Sequence, residues 1–145
     1  MKTKYCREFA VMAMLLLVSS LAQATPMDSA KSHINAITSG NVAEIMKDYD
    51  ANAAFQWVGG PLDGVYNGTG NIEQVWTKFV NKVAPKQAEV VSLEENANPK
   101  GSTVSANVVF HAKKPIKVRY VMVFRNDKLV NEVWQIDPKM EAGSY

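Results

Sequence analysis

The chain has 145 residues, 16 of them basic and 14 acidic, and a single cysteine. That length suits one domain with its own core. The near-balanced charge gives no electrostatic footprint for nucleic acid, and one cysteine excludes an intrachain disulfide.

Lys2, Lys4 and Arg7 make a positive start, residues 9–18 form an apolar run without a charge, and Ala22 and Ala24 end the next stretch with the small side chains a signal peptidase accepts. This is the order of parts in a secretory signal. Residues 1–24 are therefore expected to be removed, leaving a periplasmic or secreted domain from Thr25 to Tyr145. The competing reading is an uncleaved anchor, but the apolar run is short for a bilayer, which takes about 20 residues of helix. Cys6 precedes the run and so cannot be the lipid-bearing residue at a cleavage site. Removing Lys2, Lys4, Arg7 and Glu8 takes three of the 16 basic and one of the 14 acidic residues, so the mature domain is formally neutral.

From Asp28 to Asp50 the residues Ile34, Ile37, Val42, Ile45, Met46 and Tyr49 recur at helical spacing. Gly40 suits a left-handed helix end and Asn41 a cap, so two short helices are expected here. Ala53–Val58 reads as a short strand stopped by Gly59-Gly60-Pro61. After the turn-rich stretch Gly59–Gly68, a third helix from Thr69 to Ala84 carries the apolar stripe Ile72, Val75, Trp76, Phe79, Val80 and Val83. Thr69 is its expected cap, and Pro85 lies just past its end.

Lys86–Glu95, Thr103–Ala112, Ile116–Arg125 and Lys128–Asp137 are rich in β-branched and aromatic residues, with turn residues between them. Connections this short predict antiparallel hairpins. Helices first and strands afterwards predict an α+β fold with the helices on one face of the sheet. In Ile116–Arg125, Val118, Tyr120, Met122 and Phe124 fall on one side and Val121 and Val123 on the other. A strand apolar on both sides is covered twice, which predicts a homodimer.

This order of elements resembles the nuclear transport factor 2 superfamily, above all its SnoaL-like and ketosteroid-isomerase-like branches. The residues that carry the resemblance are Ser39-Gly40-Asn41, Phe55-Gln56-Trp57-Val58-Gly59-Gly60-Pro61, Gly64-Val65-Tyr66-Asn67-Gly68, Ile72, Phe79 and Lys128-Leu129-Val130-Asn131-Glu132-Val133-Trp134. It covers essentially the whole mature chain. It implies a cone-shaped, curved antiparallel or mixed sheet wrapped around the helices, with a small-molecule site inside. A ketosteroid-isomerase-like mechanism needs a carboxylate base and two donors to an oxyanion. Matched segment by segment, the base position falls on Trp57, the tyrosine donor on His33 and the protonated aspartate on Tyr120. Tryptophan accepts no proton, so the resemblance does not extend to steroid isomerisation.

His33 at a donor position is suited to hydrogen-bond a ligand oxygen or shuttle a proton near neutral pH; the plainer reading is a surface histidine. Glu132 shares a strand face with Trp134 and is the one acid placed to act inside the cone, where burial would raise its pKa. His33 and Glu132 are thus the candidate catalytic pair. Trp57, Tyr66, Tyr120 and Trp134 are candidates to line the cavity, flat rings suited to a sterol, polyketide or other aromatic guest; their plainer reading is packing. Asp137 ends a segment, Glu132–Asp137, similar to the late acidic ending of SnoaL-like proteins, but alternation puts it on the opposite face. His111 and the basic run Lys113–Arg119 read as a solvated turn. With no cysteine pair, histidine cluster or phosphate-cradling glycine loop, no metal or cofactor is expected.

Two functions fit. The first is an exported domain that binds a small hydrophobic molecule in a mainly apolar pocket, with proton transfer or cyclisation of a carbonyl compound as its chemistry if it is catalytic. The second is a non-catalytic dimeric protein-interaction module whose cavity is filled by its own side chains. An open pocket favours the first, a packed one the second.

Overall fold

The computed structural model describes residues 22–141, so the expected signal lies outside the described residues up to position 21. Helix α1 (Pro26–Ser39) starts on a reciprocal cap, in which Thr25 accepts from the Asp28 amide and Asp28 accepts from the Thr25 amide. It ends at Gly40, whose φ of 68° is left-handed. Asn41 caps α2 (Val42–Met46) by accepting from the Glu44 amide at 3.1 Å. Ala30, His33, Ile34 and Ile37 form the inward stripe of α1.

Strand β1 (Tyr49–Val58) begins four residues before the expected Ala53. Tyr49, Ala53, Phe55 and Trp57 are buried on its inner side, so the period-two pattern starts at Tyr49, which helical spacing had claimed. Inside the stretch expected to be turn lies a further strand, β2 (Gly64–Asn67), paired with β1 so that Tyr66 faces Phe55. Helix α3 (Thr69–Val83) is capped by Gly68, with no side-chain bond to the cap; Thr69 is its first helical residue, not the cap. The reason is conformational: Gly68 stands at φ 79°, which glycine alone takes without strain, and that places Thr69 already inside the helix. Ala84 ends α3 at φ 45°, the left-handed region, where Pro85 keeps its predecessor out of the helical one. Ile72, Val75, Trp76 and Phe79 are buried, each worth roughly 1.5–3 kcal/mol of apolar burial.

Strands β3 (Gln87–Asn98), β4 (Gly101–His111), β5 (Ile116–Arg125) and β6 (Lys128–Ile136) complete one six-stranded sheet in the order β2-β1-β6-β5-β4-β3. All neighbours are antiparallel except β1 and β6, which are parallel. The result is an α+β fold with a curved, mixed sheet and the helices on its inner face. Register sets the inner rows. Trp57, Trp134, Tyr120 and Ala106 lie side by side across β1, β6, β5 and β4. In the next row Phe55, Glu132, Met122 and Val104 do the same. Helices α1 and α3 close over these rows, and no helix among the described residues is long and apolar enough to cross a membrane.

Candidate functional site at the core of the sheet

Strand alternation puts Glu132 two residues before Trp134 on the inner face, directly opposite Met122 and Phe55, where water does not reach: its exposure is 0%. Helix α1 carries His33 down onto it, one turn from Ile37. His33 is 5% exposed, so it is a core residue rather than a surface one. Its Nε2 lies 3.3 Å from Glu132 Oε1 and 2.7 Å from the Tyr120 hydroxyl, and its Nδ1 lies 3.1 Å from the Ile45 carbonyl oxygen. Tyr120 donates to Glu132 Oε1, and Tyr49 donates to Glu132 Oε2. The Trp76 indole N–H donates to the Tyr49 oxygen at 2.9 Å.

Removing a carboxyl from water penalises its charged form, so burial pushes the Glu132 pKa above the ordinary 4.5, while the neighbouring His33 pulls it back. Burial likewise lifts the Tyr120 phenol well above 10.0, which keeps it a neutral hydroxyl. A buried acid beside a buried imidazole, bridged by the Tyr120 hydroxyl, holds protons that can be redistributed among nearby oxygen and nitrogen atoms without exchange with bulk water.

Around this polar centre the lining is aromatic. Trp57 and Trp134 lie with ring centres 4.9 Å apart, Phe110 stacks on Trp134 at 4.9 Å, and Phe55 stacks on Trp76 at 5.2 Å. The Tyr120 ring meets Trp134 edge-on at 5.2 Å. Trp57 and Trp134 are 3% and 0% exposed, yet their indole N–H groups find no acceptor among the described residues. Tyr66 is half-buried at the edge of this cluster, near Phe55, and donates to the Leu62 carbonyl at 2.7 Å.

Thus His33, Tyr120 and Glu132 meet at one point, Trp57 and Trp134 lie beside each other, and Tyr66 holds the loop between β1 and β2. Tyr49 and Trp76 are the members that sequence reasoning missed, Tyr49 because it was counted in a helix and Trp76 because it was counted only as packing. Extending the β1 alternation back from Trp57 through Phe55 and Ala53 would have found Tyr49. Asp137 lies outside the cluster, just past the end of β6, paired with the exposed Arg119 of β5 at 2.6 Å. His111 reaches only Glu89, at 3.3 Å on the surface.

Four surface grooves among the described residues are lined by none of His33, Glu132, Trp57 and Trp134, while Tyr120 borders one of them. One of about 580 Å³ crosses β3, β4 and β5 near Arg119 and Val121. No three histidine, cysteine, aspartate or glutamate side chains gather to hold a metal among the described residues.

No protein-family model and no curated protein matches the chain. Solved structures do. A putative ketosteroid isomerase from Parabacteroides distasonis ATCC 8503 aligns with a TM-score of 0.66 at 13% identity, over 85% of this chain and 96% of that one. An NTF2-like protein of unknown function from Pseudomonas putida KT2440 also gives 0.66, at 12% identity over 78% and 84%. A second, from Burkholderia xenovorans LB400, gives 0.60 at 18% identity over 79% and 84%. The fold is NTF2-like. In this NTF2-like domain the polar centre sits where the curved sheet and α1 converge, and its aromatic rings occupy the interior of the cone.

Proposed function

We propose that this chain is an exported NTF2-like domain of the SnoaL-like branch that binds a small, mainly apolar molecule bearing an acceptor oxygen, and that His33 and Glu132 exchange a proton with it. The observation that carries the reading is the fully buried Glu132, paired with His33 and two tyrosines in an otherwise aromatic interior. A buried ionisable pair is no better for stability than well-packed apolar side chains of similar volume, and perturbed acids set in apolar surroundings cluster at functional sites. The two orphaned indole donors support the choice of guest, since a carbonyl or hydroxyl oxygen in the plane of either ring at its N–H would satisfy that donor. Reaching that place requires the rings of Trp57 and Trp134 to part. The chemistry that suits the pair is proton transfer or cyclisation at a carbonyl compound.

The experiment is a thermal-unfolding screen of apolar ketones and phenols against hydrocarbons of the same shape. A ligand at 100 times its dissociation constant adds about 2.7 kcal/mol to stability. Ketones or phenols that stabilise where their hydrocarbons do not support the reading; a flat response across the panel overturns it.

A second reading, a non-catalytic dimeric interaction module, is favoured by the packed interior, where rings stand 4.9–5.9 Å apart around Trp134 and Trp76. It takes the outer sheet face as its working surface. There Val65, Gln56, Val133 and Val121 lie in one register row, Val65 63% and Val121 36% exposed. We infer that a second copy of the chain covers this row in either reading, because an uncharged row of three valines and Gln56 carries no like-charge repulsion against its own two-fold copy.

A further inference from the structure

We propose that Tyr120 is a proton relay between Glu132 and His33, and that Tyr49 and Trp76 are positioning residues that decide which carboxyl oxygen takes part. The count of donors and acceptors at the site assigns each proton. A carbonyl oxygen only accepts, so the contact between His33 Nδ1 and the Ile45 carbonyl fixes a hydrogen on Nδ1. Nε2 is then the nitrogen that gains or loses a proton. An indole N–H only donates, so Trp76 occupies a lone pair of the Tyr49 oxygen and turns the Tyr49 hydrogen toward Glu132 Oε2. Oε2 is thereby an acceptor whatever the charge of Glu132, and any carboxyl proton resides on Oε1.

Oε1, the Tyr120 oxygen and His33 Nε2 form a closed triangle, with Nε2 2.7 Å from the tyrosine oxygen and 3.3 Å from Oε1. The direct edge is long for a hydrogen bond, and the path through Tyr120 is bonded at both steps. When the pair holds one proton, two arrangements satisfy every donor. In the first, Oε1–H donates to the tyrosine oxygen and Tyr120 O–H donates to Nε2. In the second, Nε2–H donates to the tyrosine oxygen and Tyr120 O–H donates to Oε1. They interconvert when the Oε1–H bond breaks as a new O–H bond forms on Tyr120, while the old Tyr120 O–H bond breaks as N–H forms on His33. One proton leaves the carboxyl, one arrives at the imidazole, and Tyr120 is a neutral phenol at both ends. No heavy atom has to move. Burial, which holds the Tyr120 phenol protonated, fits a group that passes a proton without keeping a charge. The relay rests on the proton-transfer site proposed above and states how that site is charged: a guest oxygen at this corner meets a proton drawn from either partner.

The chain has two histidines, so a sample labelled with 15N-histidine gives a resolvable long-range proton–nitrogen spectrum in which surface His111 supplies the second set of signals. Expected for His33 are a protonated Nδ1 and an Nε2 shift between the bare and protonated limits. Tyr120→Phe should drive Nε2 to one limit. Tyr49→Phe, which frees Oε2 to carry the proton, should shift it toward the bare limit. An Nε2 already at a limit in the native protein, or unmoved by Tyr120→Phe, overturns the relay. If Tyr120→Phe does not fold, Glu132→Gln serves: it has no acid proton to share, so Nε2 should become bare, and an intermediate shift there overturns the relay as well. The spectrum needs no ligand, so a failed relay is distinguishable from a failed binding screen.

Discussion

Glu132 concentrates the consequences of this arrangement, because three side chains point hydrogen-bonding atoms at its carboxyl. Glu132→Ala strands His33, Tyr49 and Tyr120 in an apolar interior and should cost about 3–5 kcal/mol in urea unfolding. Replacing both charged partners, His33→Leu with Glu132→Met, removes the buried ion pair but still leaves the Tyr49 and Tyr120 hydroxyls without an acceptor, so it should cost less than Glu132→Ala without raising stability above the native chain. The pH dependence has a definite sign. Burial raises the Glu132 pKa, so the stability linked to its proton is complete below the unfolded value of 4.5 and is lost as the pH rises through the folded value. Glu132→Gln, which mimics the protonated acid, should flatten the fall in stability above 4.5 seen in urea titrations of the native chain. Asp137, held low by the Arg119 guanidinium, acts oppositely, and its contribution disappears as the pH falls below 3.8. Glu132 was legible in the sequence because period-two alternation with Trp134 is local. Its partner Tyr49, 83 residues away, was not, because helical spacing and strand spacing both claimed that tyrosine.

Helix ends supply the clearest tests at the scale of elements. Gly40 stands at φ 68° and an added Cβ would lie 3.1 Å from Val80 Cγ1, so Gly40→Ala should cost about 1–2 kcal/mol. Ala84 is the converse, an alanine at φ 45° closing α3, and Ala84→Gly should add about 0.5–1 kcal/mol. Urea midpoints of the two variants should move in opposite directions. Both positions also show what the chain discloses of itself. The Gly40-Asn41 break between α1 and α2 is legible because two adjacent residues each have a conformational reason to be there. Strand β2 was hidden, since its four residues follow a glycine- and proline-rich run and acquire strand character only by pairing with β1. The parallel pairing of β1 with β6 was hidden as well. It joins segments more than 70 residues apart, and no hairpin turn records it.

For the whole molecule, α1 lies on the inner face of the curved sheet, and the outer face presents Val65, Val121 and Val133 among polar neighbours such as Gln56, Arg119 and Gln135. The two faces make separate claims, one for a guest and one for a second copy, and a single spectrum reads both. If a second copy covers the Val65–Val133–Val121 row, Val121→Glu should convert dimer to monomer without unfolding the core, as judged by light scattering after size exclusion. The measurement that bears most directly on the central claim is native mass spectrometry of the protein purified gently from expressing cells. Expected are a subunit mass beginning at Thr25, a dimer, and a discrete extra mass that is weakened in Trp134→Leu. A bare polypeptide mass from several growth media, identical for the native chain and Trp134→Leu, would contradict the claim that this aromatic cone holds a small molecule.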